Sequence, residues 1–281
     1  MINKLKIAAL RWAMEPPFRL LARTAVKYLS SSVRTQALWD VSERPQYLVG
    51  ILRAADEAKD AGIAEICVAE FGVAGGAGLL RMQDYAARVE AETGVRIKVY
   101  GFDTGGGLPV GTGDYRDHPE IWSPGDFPME WDKLRPLLDK RTELVLGDVR
   151  DTIPAFVENT QTAPLGYIAI DVDFFSSTRD AFKILSLPKR KTLIRTIIYL
   201  DDVETLRYHR FAGELLAVDD FNENNTGVKI DRWRGMRRSR PFPEAVWYDH
   251  MYVAYDLEAI NRFNKDGRER AVLDLSNTHN L

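Results

Sequence analysis

A regular alternation of short apolar runs and amphipathic segments, between residues 46 and 202, constrains this fold more than any other feature. Each apolar run has the length of a buried strand and ends near glycine or acidic residues, while the segments between the runs have helical spacing. Strands that alternate with helices predict a mostly parallel sheet covered on both faces. The predicted strands are 63–71, 95–103, 143–148, 165–173 and 192–202, and the predicted helices are 46–61, 79–93, 131–140, 151–159 and 177–186.

The two ends of the chain differ from this central pattern. Residues 1–45 have helical spacing interrupted by Pro16 and Pro17, and we interpret them as a helical extension. This extension forms either a lid over a pocket or a surface for a second subunit, which would allow a homodimer. Residues 46–281 form the predicted main domain. Within it, 213–221 and 244–257 are two further predicted strands, separated by a long polar loop and expected to pair as an antiparallel edge.

Composition argues against several classes of protein. The chain has 38 basic and 41 acidic residues, a balance that does not favour a nucleic-acid partner. It lacks an apolar run of the length needed to span a membrane, and its N-terminus lacks the uninterrupted apolar core of a secretory signal. Its single cysteine, Cys67, predicts a small buried side chain rather than a disulfide. We therefore expect a cytoplasmic enzyme or binding protein without a membrane partner.

The first three predicted strands end in residues suited to an adenosine pocket, because ligands of open parallel sheets bind at the carboxyl ends of the strands. Glu70 is followed by a glycine-rich loop with Gly72 and Gly75, where the backbone can approach a ligand closely. Asp103 is an acid suited to ribose hydroxyls, and Asp148 follows the third strand. The dinucleotide spacing G-x-G-x-x-G and the P-loop pattern are both absent, which favours S-adenosylmethionine over a nicotinamide cofactor or ATP.

Acidic residues also end the fourth and fifth predicted strands. Asp171 and Asp173 follow one strand, and Asp201 and Asp202 follow the other. Carboxylates on adjacent strand ends repel one another, and a hard cation such as Mg²⁺ would offset this repulsion. The alternative is a solvated acidic rim or a set of helix caps.

Six segments, which cover roughly 65–221, read in order EFGVAGGAGLL, VYGFDTGGGLP, LVLGDVRDTIPAF, IAIDVDFFSST, IIYLDD and LLAVDDF. In this order they resemble the macrocin O-methyltransferase-like (TylF-type) family of class I S-adenosylmethionine-dependent methyltransferases. The resemblance implies a Rossmann-like, doubly wound, mostly parallel seven-stranded sheet with one antiparallel strand. It also implies methyl transfer to a hydroxyl of a small molecule, such as a sugar or another natural product.

The resemblance further implies roles for particular residues. S-adenosylmethionine would lie with its methionine part near Glu70, Gly72 and Gly75. Its ribose would lie on Asp103 and its adenine near Asp148. A Mg²⁺ ion would be held by Asp171, Asp201 and Asp202, and we take Asp171 as the candidate general base. The chain departs from the family at 104–107, where Thr-Gly-Gly-Gly replaces a segment that usually contains a bulky residue and an acid.

Two other functions compete with methyl transfer. An NAD(P)-dependent oxidoreductase would use a similar adenosine half-site, although the sequence contains no typical dinucleotide motif. A non-catalytic protein would bind S-adenosylmethionine or serve as a scaffold through its N-terminal helices. Retention of every proposed acid argues against that second reading.

Overall fold

The structure is a computed structural model that describes residues 18–263. One mixed sheet with helices on both faces forms its centre. The strands are β1 (Glu65–Phe71), β2 (Arg96–Asp103), β3 (Thr142–Leu146), β4 (Leu165–Ile170), β5 (Thr192–Leu200), β6 (Val228–Arg232) and β7 (Met251–Asp256). The α-helices are α1 (Phe18–Leu29), α2 (Val33–Leu38), α3 (Pro45–Asp60), α4 (Ala77–Thr93), α5 (Trp131–Leu134), α6 (Val149–Asn159), α7 (Phe175–Ala181), α8 (Gly213–Asn224) and α9 (Leu257–Phe263).

The seven strands lie in the order β3-β2-β1-β4-β5-β7-β6. The first five strands in the chain run parallel to one another. The strand β7 is antiparallel to both β5 and β6. This arrangement confirms the predicted Rossmann-like, doubly wound sheet with one antiparallel strand. The strands β2 and β3 lie on one side of β1, and β4 and β5 lie on its other side, so the strand order reverses between β1 and β4. A crevice forms at such a point in an open sheet.

Two apolar cores cover the two faces of the sheet. On one face, Tyr47 and Ile51 of α3 pack with strand residues such as Val68 and Tyr167. On the other face, the aromatic side chains of Phe71, Phe102, Phe156, Phe182 and Phe221 belong to the second core. Strands that are buried on both faces need nearly continuous apolar sequence, which explains the unbroken runs seen in β1 and β4.

The N-terminal part of the described chain is helical, as predicted, with α1 and α2 preceding α3. Helix α1 lies on the surface without a buried residue, whereas α3 buries most of its length against the sheet. The predicted boundary at residue 45 coincides with the start of α3, but the division into two domains stays a prediction. Residues 1–17 of the predicted extension and 264–281 of the predicted main domain lie outside the described residues. No helix within 18–263 combines the length and the apolar character needed to cross a membrane.

The prediction of a strand over 213–221 is wrong, because this segment forms helix α8. Its buried residues include Glu214, Ala217, Val218 and Phe221, which recur at helical spacing and form one face. The apolar run Leu215–Val218 hid this periodicity, since a short continuous run fits a strand equally well.

The long loop predicted between the last two strands is also wrong in part, because it contains β6. Val228 and Ile230 are buried, while Asp231 and Arg232 are exposed. The antiparallel edge therefore pairs β6 with β7, and not 213–221 with 244–257. The predicted strand 244–257 is shorter in the structure: a 3₁₀ turn over Val246–His250 precedes β7, and α9 begins at Leu257.

Candidate functional site

A cavity of about 360 Å³ opens at the carboxyl ends of the parallel strands. All eight residues that the sequence singles out contribute to its wall: Glu70, Gly72, Gly75, Asp103, Asp148, Asp171, Asp201 and Asp202. They come from five separate segments that span more than 130 positions of the chain. The parallel ladder explains their convergence, since the backbone amide of Asp171 donates to the carbonyl of Phe71 and that of Asp201 to Ile170.

The loop after β1 depends on glycine at position 72. Gly72 has a φ of +86°, and a Cβ at this position would lie 1.7 Å from the carbonyl oxygen of Asp171. A side chain here would therefore collide with the backbone of the neighbouring strand end as well as strain its own backbone. A Cβ on Gly75 would instead meet open space, so the backbone at this position is accessible from the cavity.

Glu70 is buried at the base of this loop. The hydroxyl of Tyr47 donates a hydrogen bond to Glu70 Oε1 at 2.6 Å, while Oε2 is buried without a partner. Gly78 makes room for the carboxyl group, because a Cβ at that position would lie 1.9 Å from Oε1. Burial raises the pKa of Glu70 to about 8, against the opposing effect of the Tyr47 hydrogen bond.

Asp103 holds the glycine-rich loop in place. Its Oδ2 accepts hydrogen bonds from the backbone amides of Val73 and Ala74, at 2.8 and 3.0 Å. Its Oδ1 accepts from the amide of Gly105 at 2.6 Å. A carboxylate has about four acceptor positions, so roughly one remains, on Oδ1. The sequence predicts ribose binding for Asp103 and gave no signal for this second role in the loop.

Asp148 caps a helix next to the cavity. Its side chain accepts from the backbone amide of Arg150 at 2.8 Å, which is the N-cap arrangement for α6. The guanidinium of Arg150 also pairs with the same carboxylate at 2.8 Å. The cap explains why α6 begins at Val149, two residues before the predicted start.

Four acids crowd the ends of β4 and β5. Burial, followed by the charges of Asp201 and Asp202, raises the pKa of Asp171 to about 7. Burial, followed by a hydrogen bond with Asp202, raises the pKa of Asp173 to about 9. The backbone amide of Asp202 donates to Glu214 on α8, and Asp202 Oδ2 is buried without a partner. The strand ends thus concentrate acidic groups in one wall of the cavity, and burial together with their mutual repulsion favours the protonated form of some of them.

The predicted three-acid magnesium site is not found: in the part of the chain that the structure describes, no group of three or more His, Cys, Asp or Glu residues could hold a metal ion. The Tyr199 hydroxyl donates to Asp201 Oδ1, and Asp202 interacts with Asp173 and Tyr208. These partners engage carboxylate oxygens that a shared ion would need.

Several residues of the cavity wall lie outside the eight sequence candidates. The aromatic side chains of Trp122 and Phe127 contribute to the wall and contact each other edge to face. The basic side chain of Arg44 does so as well. No motif marks Arg44, and its position directly before a proline at a helix start is the sole sequence signal that singles it out.

No protein-family model matches the chain, and none of the curated proteins matches its sequence. Several solved methyltransferase structures are weakly similar to it. The calicheamicin methyltransferase CalS11 is 17% identical, with 86% of this chain and 93% of that chain covered and a TM-score of 0.48. TomG, an O-methyltransferase from Streptomyces achromogenes involved in tomaymycin synthesis and solved with S-adenosylmethionine, is 14% identical, with coverages of 82% and 93% and a TM-score of 0.40. The plantazolicin methyltransferase BpumL, in complex with S-adenosylhomocysteine, is 9% identical, with coverages of 90% and 96% and a TM-score of 0.35.

At these identities and TM-scores, the likeness does not identify the activity of this chain. The resemblance to the macrocin O-methyltransferase-like family also stays a prediction, because no family model matches.

Proposed function

We propose that this protein is an S-adenosylmethionine-dependent O-methyltransferase that acts on the hydroxyl of a small molecule such as a sugar or another natural product. The observation that carries the proposal is the convergence of the eight sequence candidates on one cavity. The cavity lies where the strand order reverses, which is the usual ligand site of such sheets.

The cofactor would extend along the ends of β1, β2 and β3. Its methionine part would lie near Glu70, Gly72 and Gly75, and its adenine near Asp148. Asp103 would accept one ribose hydroxyl through its remaining Oδ1 position while it continues to hold the loop through Oδ2. A sulfonium cofactor suits this wall, because its positive charge is attracted by the acids at the strand ends.

The reaction is an in-line displacement. A bond forms between the acceptor oxygen and the methyl carbon, and the carbon–sulfur bond breaks with its electron pair remaining on sulfur. The hydroxyl proton passes to a carboxylate of the protein, and Asp171 is the proposed base because it borders the cavity directly after β4. Holding both reactants in line can lower the barrier by about 7–11 kcal/mol.

The proposal also includes assistance of the methyl transfer by a divalent metal ion. Mg²⁺ usually keeps several waters and needs one or two carboxylates, so a group of three is not required. The Oδ2 atom of Asp202 is buried without a hydrogen-bond partner, and a carboxylate oxygen is the kind of ligand that Mg²⁺ prefers. Asp171, Asp201 and Asp202 remain the candidate ligands, and the ion would use one or two of them together with waters. A bound cation would lower the pKa of the acceptor hydroxyl.

The first experiment is a calorimetric titration of S-adenosylmethionine and, separately, NAD⁺ into the purified protein, with Mg²⁺ and with chelator. If the protein binds S-adenosylmethionine but not NAD⁺, the proposal is supported and a screen of hydroxyl acceptors is justified. Binding of NAD⁺ alone would instead favour an oxidoreductase. Binding of neither would favour a scaffold. Turnover that survives the chelator would remove the metal from the proposal while leaving the methyl transfer intact.

Homodimer formation through the N-terminal helices is a separate proposal. Large apolar side chains of α1 are exposed, among them Leu21, Tyr28 and Leu29. Exposed apolar groups that cluster on one helix often mark a surface for a partner. Light scattering of the wild type and of Leu21→Ser tests the idea, and a monomeric wild type at high concentration would refute it.

A further inference from the structure

Arg44 has an unusual backbone conformation at the edge of the cavity. It precedes Pro45, the first residue of α3, and has a φ of 49° and a ψ of 62°. This left-handed region is unfavourable for a side-chain-bearing residue, and residues before proline are normally extended. An outlier of this kind beside a cavity is a reason to ask which function it serves.

The guanidinium of Arg44 has spare hydrogen-bonding capacity. Among the described residues, its one hydrogen bond is a long contact of 3.5 Å from Nη1 to the Tyr47 hydroxyl. Its central carbon lies 5.3 Å from the centroid of the Tyr47 ring, which fixes the side chain against the aromatic face. A guanidinium has five N–H donors in a rigid fork, so most of them are free to meet a ligand.

The surroundings of Arg44 select the kind of group that it can bind. In the described part of the chain, it is the one basic residue in the cavity wall, and the other charged residues there are acids. Tyr47 joins it to Glu70, because the same hydroxyl that receives the Arg44 contact donates to Glu70 Oε1. The guanidinium of Arg44 and the buried carboxyl group of Glu70 therefore both contact the hydroxyl of Tyr47. Such a pair is complementary to the two charged groups of an α-amino acid.

Resting on the proposed function, we propose that Arg44 recognises the α-carboxylate of the methionine part of S-adenosylmethionine, while Glu70 faces the α-ammonium. Arginine binds carboxylates through two parallel hydrogen bonds, which are shorter and stronger than neutral ones. The assignment makes Arg44 a residue that determines cofactor specificity. It predicts that the protein discriminates against analogues that lack the carboxylate.

The test compares two ligands that differ by this one group: S-adenosylmethionine and its decarboxylated form. Calorimetry would give the affinity of each for the wild type, Arg44→Gln, Arg44→Lys and the control Arg53→Gln. Arg53 is an exposed residue of α3, the helix that Arg44 precedes, and it is not among the residues of the cavity wall. Circular dichroism of each variant reports whether the fold is retained, and the lysine variant provides a second test where the glutamine variant is unstable.

The wild type and Arg53→Gln are expected to prefer S-adenosylmethionine by about 10- to 100-fold. Arg44→Gln should lose about this factor for S-adenosylmethionine and keep its affinity for the decarboxylated form within about twofold. Arg44→Lys should retain an intermediate preference, because lysine keeps the charge without the fork.

Equal weakening of both ligands by Arg44→Gln would overturn the assignment, since Arg44 would then act only by supporting Tyr47 and Glu70. Unchanged affinities would overturn it as well. A wild type that binds neither ligand would refute the proposed function itself, an outcome distinct from either result with the variants.

Discussion

Replacing Glu70 by Gln should remove a large pH dependence from the stability of the ligand-free protein. Glu70 is 2% exposed, and burial raises its pKa from the ordinary 4.5 to about 8. The folded state therefore holds this proton more tightly than the unfolded state does. The resulting stability is fully present below about pH 4.5 and is lost as the pH rises toward about 8. Each pH unit between these values removes about 1.4 kcal/mol from the free energy of unfolding, or about 5 kcal/mol in all.

Urea denaturation at about pH 5.5 and about pH 7.5 measures the effect. The difference in unfolding free energy between the wild type and Glu70→Gln should fall by about 3 kcal/mol from the lower to the higher pH, because glutamine does not titrate. The exposed Glu143 on β3 offers a matched control, because Glu143→Gln makes the same substitution at a carboxyl group that folding does not bury.

A Tyr47→Phe variant sharpens the test. The Tyr47 hydroxyl donates to the Glu70 carboxylate and lowers its pKa, so loss of this bond should extend the decline in stability to higher pH. If the wild type and Glu70→Gln differ by the same free energy at both pH values, the carboxyl group does not hold its proton in the folded protein. The reasoning from burial would then be refuted.

Three further predictions concern the rest of the site and the core. Gly72→Ala should lower the free energy of unfolding by about 2 kcal/mol or more, since the new Cβ would be strained and would meet the backbone of Asp171; an unchanged urea midpoint would contradict this. Asp171→Ala should abolish turnover while S-adenosylmethionine affinity stays within about threefold, and equal loss of both would exclude Asp171 as the base. Cys67 is buried, and burial raises its pKa to about 12. Iodoacetamide at about pH 8 should therefore label the thiol only after unfolding. Rapid labelling of the native protein would argue against the burial described.

The central part of the fold was predictable because its local signals agree with one another. The runs from β1 to β5 are rich in apolar residues and end at or next to glycine or acidic residues, and the segments between them have helical spacing. The eight cavity residues were predictable for the same reason, since strand ends in a parallel sheet meet at one edge. Their convergence did not require knowledge of any side-chain contact.

The C-terminal part and the contacts within the site were not predictable in the same way. The segment of α8 contains a short run of apolar residues that fits a strand as well as a helix. Whether it forms a strand or a helix depends on how it packs against the sheet. The short edge strand β6 carries Lys229, Asp231 and Arg232, and charge on an edge strand masks its signal while it discourages aggregation. The hydrogen bond from Tyr47 to Glu70 joins residues on different elements, so only the folded chain reveals it.

The edge position of β3 gives the two sides of the cavity unequal resistance to local opening. Every residue of the central strand β4 is buried, whereas β3 has no buried residue. Amide protons of β3 should therefore exchange with solvent through low-energy local fluctuations, while those of β4 should exchange mainly through global unfolding. Asp148 lies just beyond β3 and Asp171 just beyond β4. One rim of the cavity can thus fluctuate, and admit a ligand, while the opposite rim remains folded.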